Sequence, residues 1–185
     1  MVNDALAEAE LRMKGAIRAL EEDLAAIRTG RASPALVEKL NVDYYGTQTP
    51  LLQLATISAP EPRLLTVRPF DPTSIKSIER AILASDLGLT PNNDGKMIRL
   101  NIPPLTEERR HELVRVVKNR AEEARVSVRN VRRDTHNDVR EFEREKIISE
   151  DDLKRGEEEL QKLTDHYIEL INETGQRKEN EVLEV

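Results

Sequence analysis

The three histidines are the side chains best suited to acid–base or metal chemistry in this chain, because it contains no cysteine. His111, His136 and His166 do not have the four-residue spacing with which two histidines bind a metal from one helix. The sequence also lacks an HExxH motif, a glycine-rich phosphate loop and a GxSxG nucleophile motif. We therefore expect a protein that is not an enzyme and uses no metal or cofactor, with its many carboxylates on solvated helix surfaces.

Basic side chains recur on one face of a proline-free segment that begins near Thr106. At about 100° per residue they project to one side, away from the apolar stripe of the same segment. We call this set the basic ridge: Lys118, Arg125, Arg129, Arg132, His136 and Arg140, with Arg115 and Arg133 at its edge. Glu122 and Glu143 are the main acids on this face. Since guanidinium groups can donate two parallel hydrogen bonds to phosphate, the ridge indicates a surface for an RNA backbone. An ordinary solvated face, with its arginines paired to acids of neighbouring helices, explains the periodicity equally well.

The composition favours long amphipathic helices in a chain of net charge −6. Charged residues make up 35% of it and aromatic residues 3%. Disorder would share those values, but 38% of the residues are hydrophobic and fall at regular spacings. The acidic start MVNDALAEAE resembles neither a signal peptide nor a transit peptide, and no apolar run approaches the roughly 20 residues of a membrane span. We expect a cytoplasmic protein with no membrane partner.

The prolines divide the chain. All nine lie between Pro34 and Pro104, and proline disrupts helix interiors. We therefore predict a helical domain formed by residues 1–30 and 105–185, with residues 31–104 inserted as a second domain. The two crossings, at Thr29, Gly30 and Arg31 and at Pro103, Pro104 and Leu105, are predicted to act as a hinge.

Three apolar stripes predict the helical domain. The first places Leu6, Met13, Leu20 and Ile27 seven residues apart, with Asn3 as N-cap and Gly30 as the stop. The second contains Leu113, Val117, Ala121, Ala124, Val128, Val131, Thr135, Val139 and Phe142. A Ser149–Asp152 capping box opens the third, in which Gly156 and Gly175 weaken the helix. The short connection at residues 147–149 favours an intramolecular bundle over an intermolecular coiled coil.

Short strands and one helix predict a β/α/β insert. The expected strands are residues 40–45, 52–58, 64–68 and 96–102, and residues 92–95 form a turn before the last of them. Asp71 and Pro72 open the helix, Ile75, Ile78 and Ile82 form its apolar face, and Gly88 ends it.

Motifs along nearly the whole chain are similar to those of the ribosome recycling factor family. They are IRTGRASP at residues 27–34, VDYYG at 42–46, QLA at 53–55, ASDLGL at 84–89, DG at 94–95, PPLTEERR at 103–110, VRNVRRD at 128–134 and QKLTD at 161–165. They occur in family order. The resemblance implies an L-shaped α+β fold, an elongated three-helix bundle carrying a small β/α/β domain.

The same resemblance implies a monomeric factor that binds the post-termination ribosome. It acts with elongation factor G and that partner's GTP hydrolysis to split the ribosome into subunits, with release of mRNA and tRNA. The bundle would lie on large-subunit ribosomal RNA. The expected RNA-binding residues are Arg28, Arg31, Arg125, Arg129, Arg132 and Arg133. The alternative is a non-ribosomal helical scaffold or chaperone-like module, which would show little salt-dependent affinity for RNA.

Overall fold

Two units make up the structure, a computed structural model that describes residues 1–184. One unit, the bundle, contains residues 1–27 and 111–184, and the other, the insert, contains residues 28–110. The predicted α+β class, a helical bundle with a small β-containing insert, is confirmed. Whether residues 31–104 and the flanks fold as independent domains stays a prediction. Among residues 1–184, none of the helices has both the length and the hydrophobicity of a membrane-spanning segment.

Residues 1–184 contain four α-helices: α1 Val2–Ala25, α2 Ile75–Ala84, α3 Glu107–Arg144 and α4 Glu150–Leu183. In the bundle, the apolar stripes of α1, α3 and α4 pack against each other in one core. Its buried members are Ala9, Met13, Leu20, Leu24, Val117, Ala121, Ala124, Val128, Val131, Leu160, Tyr167 and Ile171. The stripe predicted for α3 is confirmed from Leu113 to Val139, all of it buried. Each helix is thereby stabilised by burial that it could not obtain alone.

The starts of α3 and α4 agree with the positions predicted from the sequence, whereas both ends of α1 differ from them. Ser149 and Asp152 form the predicted capping box, in which Asp152 N donates to Ser149 Oγ at 3.1 Å. The prediction that Asn3 caps α1 was wrong, because the helical hydrogen bonds already start at Met1 O, 3.0 Å from Ala5 N. The Gly30 stop was also wrong. α1 already ends at Ala25. A turn follows, in which Ile27 N donates a hydrogen bond to Leu24 O, three residues earlier, at 3.1 Å.

Two glycines that appeared to weaken α4 are points of close helix packing. A Cβ on Gly156 would lie 2.9 Å from Val2 Cγ1 and 3.5 Å from Val139 Cγ1. A Cβ on Gly175 would lie 3.4 Å from the Cβ of Ala121. Both glycines are buried, and α4 is continuous through them. The close contacts that they allow offset their low helix propensity.

The insert contains six strands in two antiparallel sheets. They are β1 Asn41–Tyr44, β2 Thr47–Pro50, β3 Ala55–Glu61, β4 Leu64–Pro69, β5 Pro91–Asn93 and β6 Ile98–Asn101. β1 and β2 form a hairpin, and the larger sheet has the order β3-β4-β6-β5. The predicted apolar face of α2, with Ile75, Ile78 and Ile82, is buried in the core that the insert's two sheets share.

Parts of the insert correct the sequence prediction. β2 was missed, and β3 begins at Ala55 because Leu51–Gln53 forms a 3₁₀ turn. Residues 91–93, predicted partly as a turn, form β5, where Pro91 is tolerated because β5 is an edge strand. Asp71 caps as predicted, accepting from Thr73 N at 3.0 Å. Gly88 does not end α2, which stops at Ala84, four residues earlier.

Glycine replacements in the bundle should separate helix propensity from packing. Gly15 in α1 is exposed with nothing within 4 Å of an added Cβ, so Gly15→Ala should raise the free energy of unfolding by about 0.5–1 kcal/mol. Gly156→Ala should gain less or destabilise, because its Cβ would meet Val2 at 2.9 Å. Urea unfolding followed by circular dichroism measures both. Equal stabilisation by the two variants would contradict the close contact at Gly156.

Tyr167 should make the bundle sensitive to alkaline pH. Its burial, and next its 3.1 Å hydrogen bond to Glu10 Oε1 on α1, raise the pKa of Tyr167 to about 12. Because this folded-state pKa lies above the unfolded value of about 10, the contribution to stability is complete below pH 10 and is lost as the pH rises through 12. Unfolding free energies measured between pH 9 and 12 should therefore fall more steeply for the wild type than for Tyr167→Phe. Parallel profiles would refute the assignment.

Candidate nucleic-acid interface

An open groove between α3 and α4 contains the centre of the basic ridge. Its volume is about 560 Å³, and its lining residues are Val126, Arg129, Asn130, Arg132, Arg133, His136, Glu157, Leu160 and Gln161. α3 presents this face because its opposite stripe is buried: Val128 is fully buried and Val131 is 4% exposed. The arginines between and beside these valines are exposed. The helical core therefore fixes where the basic groups point.

Two predicted RNA-binding residues share one acid. Glu122 accepts from Arg125 Nε at 2.9 Å and from Arg129 Nη1 at 3.2 Å. The hydrogen bond from Arg125, and next that from Arg129, hold the pKa of Glu122 below its usual value. Arg125 also donates to Asn172 of α4 at 2.9 Å. These two arginines are thus paired with an acid of their own helix, and not with acids of a neighbouring helix as the solvated-face interpretation expected. Exposed ion pairs of this kind are weak.

Arg132 and Arg133 have neutral partners instead. Arg132 Nη1 donates to Gln161 Oε1 of α4 at 2.8 Å, and Arg133 Nη2 donates to Asn130 Oδ1 at 3.2 Å. Neither forms an ion pair with a carboxylate in the described part of the chain. Both therefore keep a full positive charge in the groove, which suits them to bind an anion such as a phosphate.

The rest of the ridge lies around this centre. His136 Nε2 lies 2.9 Å from Glu157 Oε1 of α4. Lys118, Arg115 and Arg140 are exposed on α3 and do not line the groove. Of the other histidines, His166 packs edge-on against Tyr167 at 5.1 Å between ring centroids. Among residues 1–184, no group of three potential ligands could hold a metal ion.

The predicted residues near the crossings belong to the insert. Arg28 and Arg31 are exposed and line a largely apolar cavity of about 110 Å³. Arg28 Nη1 donates to the carbonyl of Leu87. Pro103, Pro104 and Leu105 line the same cavity, Thr29 is 6% exposed, and Gly30 has φ 77°. RNA binding by Arg28 and Arg31 stays a prediction, as does the hinge at residues 29–31 and 103–105.

Sequence reasoning missed the amide side chains of the groove. Gln161 and Asn130 lie within the motifs QKLTD and VRNVRRD, yet periodicity gave them no role. A signal was available in the projection itself, because Asn130 is three residues before Arg133, the spacing of neighbours on a helix. Gln161 had no such signal, since its arginine lies on another helix.

The sequence matches the family model described as ribosome recycling factor over residues 20–183. It is similar to the ribosome-recycling factor of Carboxydothermus hydrogenoformans, with 55% identity over 185 residues and 100% of both chains covered. It is also similar to the ribosome-recycling factor of Rubrobacter xylanophilus, with 59% identity over 180 residues and 97% of both chains covered.

Two solved structures share the fold. A solution structure of the ribosome recycling factor has a TM-score of 0.79 and 47% identity, and the match covers 100% of this chain and 98% of the other. The second belongs to models of the T. thermophilus ribosome recycling factor and the E. coli elongation factor G bound to the E. coli post-termination complex. It has a TM-score of 0.69 and 46% identity, with 99% of both chains covered.

Arg132→Ala should weaken RNA binding without weakening the fold. Because Arg132 lies outside the buried stripe, the free energy of unfolding of the variant should differ from that of the wild type by no more than about 0.5 kcal/mol. One lost charge-assisted contact should lower affinity for purified bacterial large ribosomal subunits about tenfold or more. The slope of log affinity against log salt should become shallower by about one unit. Sedimentation across a salt series measures both.

Arg120→Ala is the matched control. Arg120 lies on the same helix, is paired with Glu123 at 3.1 Å and lines a different groove, beside α1. This variant should bind like the wild type. If Arg132→Ala also binds like the wild type at every salt concentration, the groove is only solvated surface.

Proposed function

The chain belongs to the ribosome recycling factor family, and on this premise we propose that it binds the post-termination ribosome together with elongation factor G. The two proteins then split the ribosome into subunits, with release of mRNA and tRNA. A structural relative at 46% identity is described with elongation factor G on the post-termination complex, which supports the same partners for this chain.

The basic groove between α3 and α4 is the observation that carries the proposal. An acidic protein of net charge −6 has no general attraction for RNA. Contact with large-subunit ribosomal RNA therefore depends on local groups, chiefly Arg132 and Arg133, which have neutral partners. Arg125 and Arg129 add to the contact once phosphates compete with Glu122 for their N–H groups.

In this proposal the chain contributes binding and elongation factor G contributes GTP hydrolysis. The sequence has no phosphate-loop motif with which to bind a nucleoside triphosphate. We accordingly assign it no catalytic step, no metal and no cofactor. It acts as a monomer in the cytoplasm, where the ribosomes and elongation factor G are.

Splitting of post-termination complexes tests the function directly. Light scattering should fall when this protein, elongation factor G and GTP are all present, and should stay constant when any one of them is omitted. Arg132→Ala should require about tenfold more protein for the half-maximal rate, because a charge-assisted contact is lost. Its rate at saturation should match that of the wild type. A wild-type protein that leaves the complexes intact under all conditions would refute the proposal.

A further inference from the structure

The partner of Arg132 is itself held in place. Gln161 lies on α4, is exposed, and accepts a hydrogen bond from Arg132 Nη1 at 2.8 Å. Its amide nitrogen donates to Asp165 Oδ1, also at 2.8 Å and one helical turn further along α4. The three side chains thus form one hydrogen-bonded series from α4 to the groove.

Asp165 determines which end of the amide faces Arg132. A carboxylate only accepts hydrogen bonds, so it binds the amide NH₂ and leaves the amide oxygen at the other end. With the opposite orientation, the NH₂ group of Gln161 would face the N–H groups of Arg132, and no hydrogen bond could form. The oxygen therefore points to the guanidinium.

We propose that Gln161, oriented by Asp165, is a positioning residue that holds the guanidinium of Arg132 ready in the groove for a phosphate group of RNA. The inference rests on the proposed function, since it concerns how the same groove binds ribosomal RNA. It extends the site from α3 to α4, where the neutral side chain of Gln161 and the acidic side chain of Asp165 take part.

A neutral acceptor suits this task better than a carboxylate. Gln161 occupies one N–H of the guanidinium and leaves the remaining donors and the whole charge for an anion. Glu122 shows the contrast, because its carboxylate pairs with Arg125 and Arg129 and offsets their charge before any RNA arrives. A phosphate must compete with Glu122 for those two arginines, whereas the acceptor that holds Arg132 is itself uncharged and the carboxylate of Asp165 binds the far end of its amide.

Holding the side chain also lowers the entropy cost of binding. Arginine has many rotamers in water, and fixing one of them on binding opposes association. A side chain held beforehand loses less. The expected benefit of Gln161 is between about twofold and tenfold in affinity.

Gln161→Met tests the inference, because it keeps the length of the side chain and removes both hydrogen bonds. Its affinity for purified bacterial large ribosomal subunits should fall about two- to tenfold. The salt slope should stay that of the wild type, since Arg132 still makes its phosphate contact. Gln176→Met is the matched control: Gln176 is an exposed glutamine on α4 that donates to Asn180 Oδ1 at 3.0 Å, and within the described chain no arginine donates to it. It should bind like the wild type.

Combining Gln161→Met with Arg132→Ala distinguishes positioning from a structural role. If Gln161 acts through Arg132, the second substitution should cause no further loss in the Arg132→Ala protein. An equal loss in both backgrounds, or a loss shared by Gln176→Met, would overturn the inference. If Arg132→Ala lowers affinity and Gln161→Met does not, the inference alone fails. If Arg132→Ala has no effect, the proposed function of the groove fails.

Gln161→Glu tests the need for neutrality. Glutamate can still accept from Arg132, but it offsets the charge and repels phosphate. Its affinity should fall below that of Gln161→Met, with a shallower salt slope. Affinity equal to or above that of the wild type would overturn the requirement for a neutral acceptor.

Discussion

Burial of the apolar stripe of α3 against α1 and α4 fixes the rotation of α3 about its own axis. Val117 and Val128 on α3 and Ile171 on α4 are fully buried in the shared core. A shift of one residue would turn the helix by about 100°, exposing the stripe and moving the basic ridge out of the groove. The position of every arginine in the groove therefore depends on hydrophobic packing on the other side of the helix.

Two glycines of α4 lie close to α3, one on either side of the groove contacts. Gly175 meets Ala121 at one point, and Gly156 approaches Val139 at another. The hydrogen bond from Arg132 to Gln161 lies between these two points along the antiparallel helices. The side chains of Arg132 and Gln161 meet directly across the groove, between two points at which α4 packs closely on α3.

Local charge matters more than total charge in this molecule. Its net charge of −6 opposes RNA at long range, while the groove holds arginines with two kinds of partner. Those paired with Glu122 are partly neutralised, and those held by amides keep their charge. In the proposed function, affinity for RNA therefore depends on contact at short range.

The sequence by itself determined the helices, because proline confinement, apolar periodicity and the Ser149 capping box act through neighbours along the chain. The 100° projection also determined that Arg129 and Arg132 share a face. The sequence analysis missed β2 and β5, which pair with the neighbouring strands β1 and β6, because short segments of Thr, Gln, Asn and Pro resemble turns and show no apolar alternation. Only the tertiary structure decided which arginines meet Gln161 or Asn172, because those partners lie on another helix. Their distances follow from the register of α3 against α4, and periodicity within one helix carries no information about it.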